Sequence, residues 1–336
     1  MPERLAALEP DGVAEAARRA AAAWRAGDLV AFPTETVYGL GAAARDPAAV
    51  ARIFTAKRRP TDHPLIVHLA DGDDLEAWAR DVPAAARRLA AACWPGPLTM
   101  VLWRHRDVPP AVTGGQPTIA LRVPGHPVAQ ALLLAFGDGV AAPSANRFGR
   151  VSPTTADHVM TDLAHVDGLL VVDGGPCPVG IESTIVDLCG VRPVVRRLGG
   201  VDAAELAAAL GVPDSVLAIG GGEREADAPR VPGSLARHYA PDTPCRAVPE
   251  GAGERAPADV AVLARRPSPA GHEGSWFELP DEPRAAARAL YRAMRELDAV
   301  GARELWLEGV PIEAAWAAIA DRLARAVAAK MEEETT

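Results

Sequence analysis

The stretch AAPSANRFGRVSPT at Ala141–Thr154 constrains the fold more than any other: a short apolar run, Gly139–Ala142, is cut off by Pro143 and followed at once by small hydroxyl and amide residues. Such a run reads as a buried strand, and the turn after it directs backbone N–H groups outward, where they can wrap an anion. Taken alone, this is an ordinary polar turn between two core elements. Other unusual stretches in the first two hundred residues ask for the same ligand.

Ahead of it, a helix through AEAARRAAAAWRAG, capped by Asp11 and closed by Gly27, leads to the strand LVAFP and then to the loop PTETVYGLG, Pro33–Gly41. Two threonines, a glutamate and a tyrosine between a proline and two glycines suit a ligand-contacting loop, a hairpin connection being the plain alternative. Asp46-Pro47 starts a second helix, DPAAVARIFTAK, which ends in Lys57, Arg58 and Arg59 before Pro60. That cluster either compensates the helix dipole or, stiffened by Pro60, presents Lys57 and Arg59 to phosphate oxygens. His68, in the strand after it, reads by itself as a core histidine. Helices over Asp74–Arg80 and Pro83–Cys93 precede a turn forced by Pro95-Gly96-Pro97 and a strand.

Arg122 follows the apolar run Ile119–Leu121; a guanidinium buried beside a strand needs an anion, supplied either by a ligand or by an internal carboxylate. Beyond the 141–154 stretch come a helix, Thr154–Leu163, a strand, Leu169–Asp173, and GIESTIVDL, which sets Gly180, Glu182, Ser183 and Thr184 at the head of another strand. Arg196 and Arg197 before Gly199-Gly200 form a second basic turn, and a helix, Asp202–Leu210, follows. No Walker A sequence and no strand-borne G-x-G-x-x-G occurs. A nucleotide would therefore need a cationic cleft, which Lys57, Arg59, Arg122 and Arg197 with Ser144, Ser152 and Ser183 supply if the turns converge.

A chain of 336 residues points to two domains, and the stretch from Pro213 to Pro244 is linker-like. Strand and helix alternate beyond it: DVAVLA, Ser275–Leu279, the helix Glu282–Ala299, ELWLEGV and the helix Ile312–Met331. A net charge of −9 argues against whole-surface nucleic-acid binding. The four cysteines lack metal or disulfide spacing, and with no apolar leader or span the expectation is a reduced, cytoplasmic enzyme.

PTETVYGLG, K-x-R-P with HPLIVH, PGPLT, LRVP, APSAN with SPT, and GIESTIVD stand in the order seen in YrdC-type L-threonylcarbamoyladenylate synthases, which residues 15–200 resemble. RHYAP with a C-terminal α/β domain resembles the long form of that enzyme. The resemblance implies a twisted mixed α/β sheet with flanking helices over 12–210, a linker over 211–244 and a smaller α/β domain over 245–331. It implies a nucleotidyltransferase that condenses L-threonine, bicarbonate and ATP to threonylcarbamoyl-AMP and pyrophosphate for tRNA threonylcarbamoyladenosine synthesis. Thr36, His68, Arg122, Ala142 and Ser183 would hold threonine. Arg59, His63, Thr118, Ser144, Asn146, Ser152 and Arg197 would hold ATP, Lys57 and Arg59 would be catalytic, and magnesium (Mg2+) would ride on the ATP phosphates, with no protein metal site.

The product would pass to the tRNA threonylcarbamoyl-transfer machinery, with weak RNA contact and no membrane. His63 stands where relatives commonly carry asparagine, Phe148 where serine is usual, and the lysine and tyrosine often seen before RHYAP are absent. Two other functions remain open: a double-stranded RNA-binding module and a carbamoyl-transfer maturation factor. Pro229–Pro244 either folds over the cleft as a lid, with Arg237, His238 and Tyr239 reaching the nucleotide, or packs on the C-terminal domain.

Overall fold

Along Thr118–Arg122, Ile119 and Leu121 enter the main core while Ala120 joins a smaller apolar cluster, because successive strand side chains point to opposite faces. This alternation sends Thr118 and Arg122 to the same face as Ala120. The computed structural model describes residues 1–72, 75–213, 217–220, 229–233 and 238–328. These fall into two units: the first holds 1–148, 153–178 and the described residues from 182 to 233, and the second holds 149–152, 179–181 and those from 238 to 328.

The described strands of the first unit are β1 (Glu3–Ala6), β2 (Val30–Phe32), β3 (Gly39–Ala43), β4 (Ile66–His68), β5 (Ala79–Arg80), β6 (Leu98–Arg104), β7 (Thr118–Arg122), β8 (Val140–Ala141), β9 (Leu170–Asp173), β10 (Thr184–Asp187), β11 (Val194–Arg197) and β12 (Ala218–Ile219). They form one mixed sheet ordered β1-β9-β2-β3-β8-β4-β7-β6-β10-β11-β12, with β5 beside β6. Its helices are α1 (Pro10–Arg25), α2 (Pro47–Lys57), α3 (Leu75–Trp78), α4 (Ala84–Cys93), α5 (Pro127–Phe136), α6 (Ala156–Asp162) and α7 (Ala203–Leu210).

Local signals explain most of these elements. Asp46 Oδ1 accepts from the N–H of Ala48 (2.9 Å) and Ala49 (3.3 Å), Pro47 opens α2, and Arg58 at φ 52° stops it. The expected Asp11 cap is corrected: Pro10 begins α1, Glu9 precedes it without a side-chain cap bond, and Asp11 lies in the first turn, where its charge meets the helix dipole. The expected helix over Asp74–Arg80 is a single turn, Leu75–Trp78, and Asp74 lies outside the described residues. Trp24 of α1 is buried against Phe32 and Phe136, its indole N–H on the Gly41 carbonyl at 3.1 Å. A Cβ at Gly41 would meet Phe32 and Val140 at 2.8 Å, so glycine is needed for that approach.

In the second unit, β13 (Cys245–Val248), β14 (Val260–Ala264), β15 (Trp276–Glu278) and β16 (Glu304–Glu308) form a parallel sheet ordered β13-β16-β14-β15, with α8 (Pro283–Ala299) and α9 (Ala317–Ala328). A mixed sheet with flanking helices plus a smaller sheet is the class the sequence implied. The described part of the last helix is preceded by a tighter turn, Ala314–Trp316.

Candidate active site

Parallel pairing of β4 with β7 sets His68 opposite Arg122, and β8 sets Val140 opposite His68 on the other side. The two side chains thus share one face of the sheet. His68 lies edge-on to Phe32, 6.2 Å between ring centres, with Nδ1 buried and, among the described residues, without a hydrogen-bond partner. Burial, and then the Arg122 charge, holds its pKa down at about 3, so the ring is neutral at physiological pH.

The Pro33–Gly41 loop and the Pro95–Pro97 turn hold Arg122. Its Nε donates to the Gly96 carbonyl (3.2 Å) and Nη1 to Thr36 Oγ1 (2.9 Å), while Nη2 lies 2.7 Å from Glu35 Oε1. Glycine is required at Gly96, where a Cβ would sit 2.3 Å from the Cys93 carbonyl oxygen. Thr34 and Thr36 share a hydroxyl hydrogen bond at 2.8 Å. Tyr38 is a buried strut rather than a ligand contact, since its hydroxyl donates to the Gly175 carbonyl at 2.7 Å and to Asp173 at 3.3 Å. The sequence left a ligand or an internal carboxylate as Arg122's anion, and the structure pairs it with Glu35.

Lys57 is 1% exposed, and its ammonium donates to the carbonyls of Ser144 (2.5 Å) and Asn146. The Phe148 N–H returns to the Lys57 carbonyl at 3.0 Å, so one residue ties both ends of the 144–148 turn. Burial first and the neighbouring Arg59 second push the Lys57 pKa well below its ordinary value, Asp162 opposing them. Arg59 donates to the Pro64 carbonyl (3.0 Å) and sits 5.3 Å over the Phe148 ring, which His63 meets edge-on at 5.3 Å. The two departures noted in the sequence, His63 and Phe148, therefore touch each other beside Arg59. Burial and then Arg59 keep His63 below its ordinary pKa.

On the far side, Ser183 shares a hydroxyl hydrogen bond with Thr99 (2.7 Å), and Arg197 donates to its carbonyl from Nε (3.1 Å) and Nη2 (2.9 Å). Arg197 Nη1 also holds the Pro232 carbonyl at 2.9 Å. Val231 packs with Ile66, Val101, Ala120 and Ile185, and Arg230 bonds Gln116, Gly114 and Asp62, so residues 229–233 lie on the first unit. Thr118 and Ala142 are buried on β7 and just past β8.

Ser152 belongs to the second unit, its carbonyl accepting from Arg295 at 3.4 Å. Tyr239 stacks on Tyr291, 5.7 Å between ring centres, and lies under Arg322, with His238 edge-on to it. Both therefore pack within the second unit. Arg237 lies outside the described residues. The sequence reading missed the Glu35–Arg122 pair, although a lone acid between two threonines of a loop was its one visible trace.

Residues 22–199 match a family described as telomere recombination (Sua5/YciO/YrdC), and residues 201–328 match the C-terminal domain of threonylcarbamoyl-AMP synthase. The threonylcarbamoyl-AMP synthase of Pyrococcus abyssi is 40% identical over 321 residues, covering 92% of this chain and 93% of the relative. That of Bacillus subtilis is 44% identical over 240 residues, covering 70% and 67%. Two solved structures of P. abyssi Sua5, one a double alanine variant and the other complexed with L-threonine, align with TM-scores of 0.87 and 0.84 at 36% identity. They cover 97% of this chain and 96% and 97% of their own.

Proposed function

The chain belongs to the Sua5/YrdC family of threonylcarbamoyl-AMP synthases, and from that premise we propose how its own side chains divide the work. It is an enzyme that forms threonylcarbamoyl-AMP from L-threonine, bicarbonate and ATP. Relatives of that name span most of the chain, so neither the RNA-binding module nor the carbamoyl-transfer factor is favoured.

The observation that carries the assignment of roles is the convergence of Thr36, His68 and Arg122, from three separate motifs, on one buried face. Arg122 takes the threonine carboxylate, and the neutral His68 ring, with its unspent Nδ1, hydrogen-bonds the threonine hydroxyl. Ala142 and Ser183 border the same face. Arg59, His63 and Phe148 form one wall for ATP, with Thr118, Ser144, Asn146 and Arg197 as further contacts. Lys57 serves this wall from behind, by holding the 144–148 turn.

The threonine amine condenses with bicarbonate to a carbamate and water, and a carbamate oxygen attacks the α-phosphorus, expelling pyrophosphate. Nothing in that sequence calls for a strong protein base; rate comes from positioning and from cations that offset phosphate charge. Magnesium would arrive on the ATP phosphates. Residues 229–233 would shelter the labile carbamate from water by covering the site face. The product would pass to a tRNA-modifying partner, with at most a weak RNA contact by this chain. No described helix is long and apolar enough to cross a membrane.

Pyrophosphate release measured with each substrate omitted in turn tests the reading. Release should need L-threonine and bicarbonate together, and equal release without threonine would overturn it.

A further inference from the structure

We propose that Glu35 is the group that receives the α-ammonium of the amino-acid substrate, its internal pair with Arg122 standing in for the zwitterion. The inference rests on the reading that Arg122 holds the threonine carboxylate.

Glu35 is buried on the loop after β2, its side chain 10% exposed and that of Arg122 4%. Among the described residues, both carboxylate oxygens are buried and accept no hydrogen bond, and Nη2 of Arg122 donates none, although it stands 2.7 Å from Oε1. The other two nitrogens of Arg122 are already spent on Gly96 and Thr36. One edge of the guanidinium and the whole carboxylate thus face each other with bonding capacity in reserve.

Among the described residues, the titratable groups that face Glu35 come from three further elements: Arg122 on β7, His126 at the start of α5 and Cys177 after β9. Burial lowers the His126 pKa, with Glu35 opposing, and burial raises that of Cys177, so both are neutral near pH 7. Arg122 is then the charge that balances Glu35. A buried charge that loses its partner is strongly disfavoured.

When a substrate carboxylate takes the guanidinium, Glu35 needs a new cation, and an α-amino acid brings one a single carbon away. The internal pair is exchanged for two pairs, and no charge is left alone. A hydroxy acid brings the carboxylate without the cation and strands Glu35. The site therefore selects amino acids over simple carboxylic acids through Glu35, just as a site built for a hydrogen-bonding group rejects the analogue lacking it.

Calorimetry on the full chain tests this with two probes, L-threonine and 3-hydroxybutyrate of the same configuration at the hydroxyl carbon. The wild-type protein should prefer threonine by about 100-fold or more, the scale of removing one partner of a buried charge pair. Glu35→Gln should reduce that preference to about 10-fold or less, by weakening threonine while 3-hydroxybutyrate binds as well or better. Glu35→Asp, which keeps the charge, should retain most of the preference and carries the comparison if the glutamine variant does not fold. Equal weakening of both ligands, or an undiminished preference in Glu35→Gln, would overturn the proposal. Arg122→Met separates the two readings: if it leaves threonine binding intact, the threonine site itself is misplaced. Loss of threonine binding there, with preference unchanged in Glu35→Gln, removes only the role of Glu35.

Discussion

Replacing Lys57 by methionine keeps the volume of a fully buried side chain but deletes the donor that two backbone carbonyls, those of Ser144 and Asn146, depend on. Two effects compete. Removing a desolvated ammonium returns part of its burial cost, while each stranded carbonyl costs about 1–3 kcal/mol. With two carbonyls the loss wins, and we expect a net destabilisation of about 2–4 kcal/mol. Lys57→Ala adds a cavity, since the whole aliphatic stem goes, and should cost about 2 kcal/mol more. Urea unfolding of the ligand-free protein measures both through the midpoint, provided the slope is unchanged. A Lys57→Met protein within about 0.5 kcal/mol of wild type, yet weak for ATP, would refute the reasoning and return Lys57 to a phosphate-clamp role.

Arg59→Ala should weaken ATP by about 10- to 150-fold, the scale of a lost charge-assisted contact, and leave threonine affinity within about 2-fold, as calorimetry of each ligand would report. His68 makes stability pH-dependent: its folded pKa of about 3 lies below the unfolded 6.5, so the unfolded state binds the proton first. Stability is complete above pH 6.5 and falls by about 1.4 kcal/mol per unit towards pH 3, a slope that His68→Gln should flatten in unfolding curves against wild type. Asp202 and Glu205 form a reciprocal cap on α7, at 2.8 and 3.0 Å; Asp202→Ala should lower stability by about 1 kcal/mol, and an unchanged urea midpoint would count against the cap.

What the sequence shows of this fold is its local part. The Asp46-Pro47 start of α2 and the apolar runs of β2, β4 and β7 are visible because caps and burial patterns act within a few residues. β1 escapes notice since its ERLA is polar and mostly exposed, and is held by parallel pairing with β9 and by Arg4 on Asp173. β13 is hidden the same way, two of its four residues facing solvent. In the candidate site, the candidate residues stand out one by one in the sequence, but their pairings do not. Lys57 meets carbonyls 87 and 89 residues away, and Glu35 meets an arginine 87 positions on, contacts that only sheet order creates. From the sequence alone Lys57 reads either as a helix-end charge or as a phosphate ligand, since nothing near it in sequence names the carbonyls of Ser144 and Asn146 as its partners.

Labelled bicarbonate followed into nucleotide tests the central claim most directly. With ATP, magnesium and L-threonine present, the label should enter one AMP-containing product in step with pyrophosphate release, and Arg122→Met should abolish both together. Pyrophosphate released at the wild-type rate with no label in the nucleotide, or label incorporated without threonine, would contradict the account.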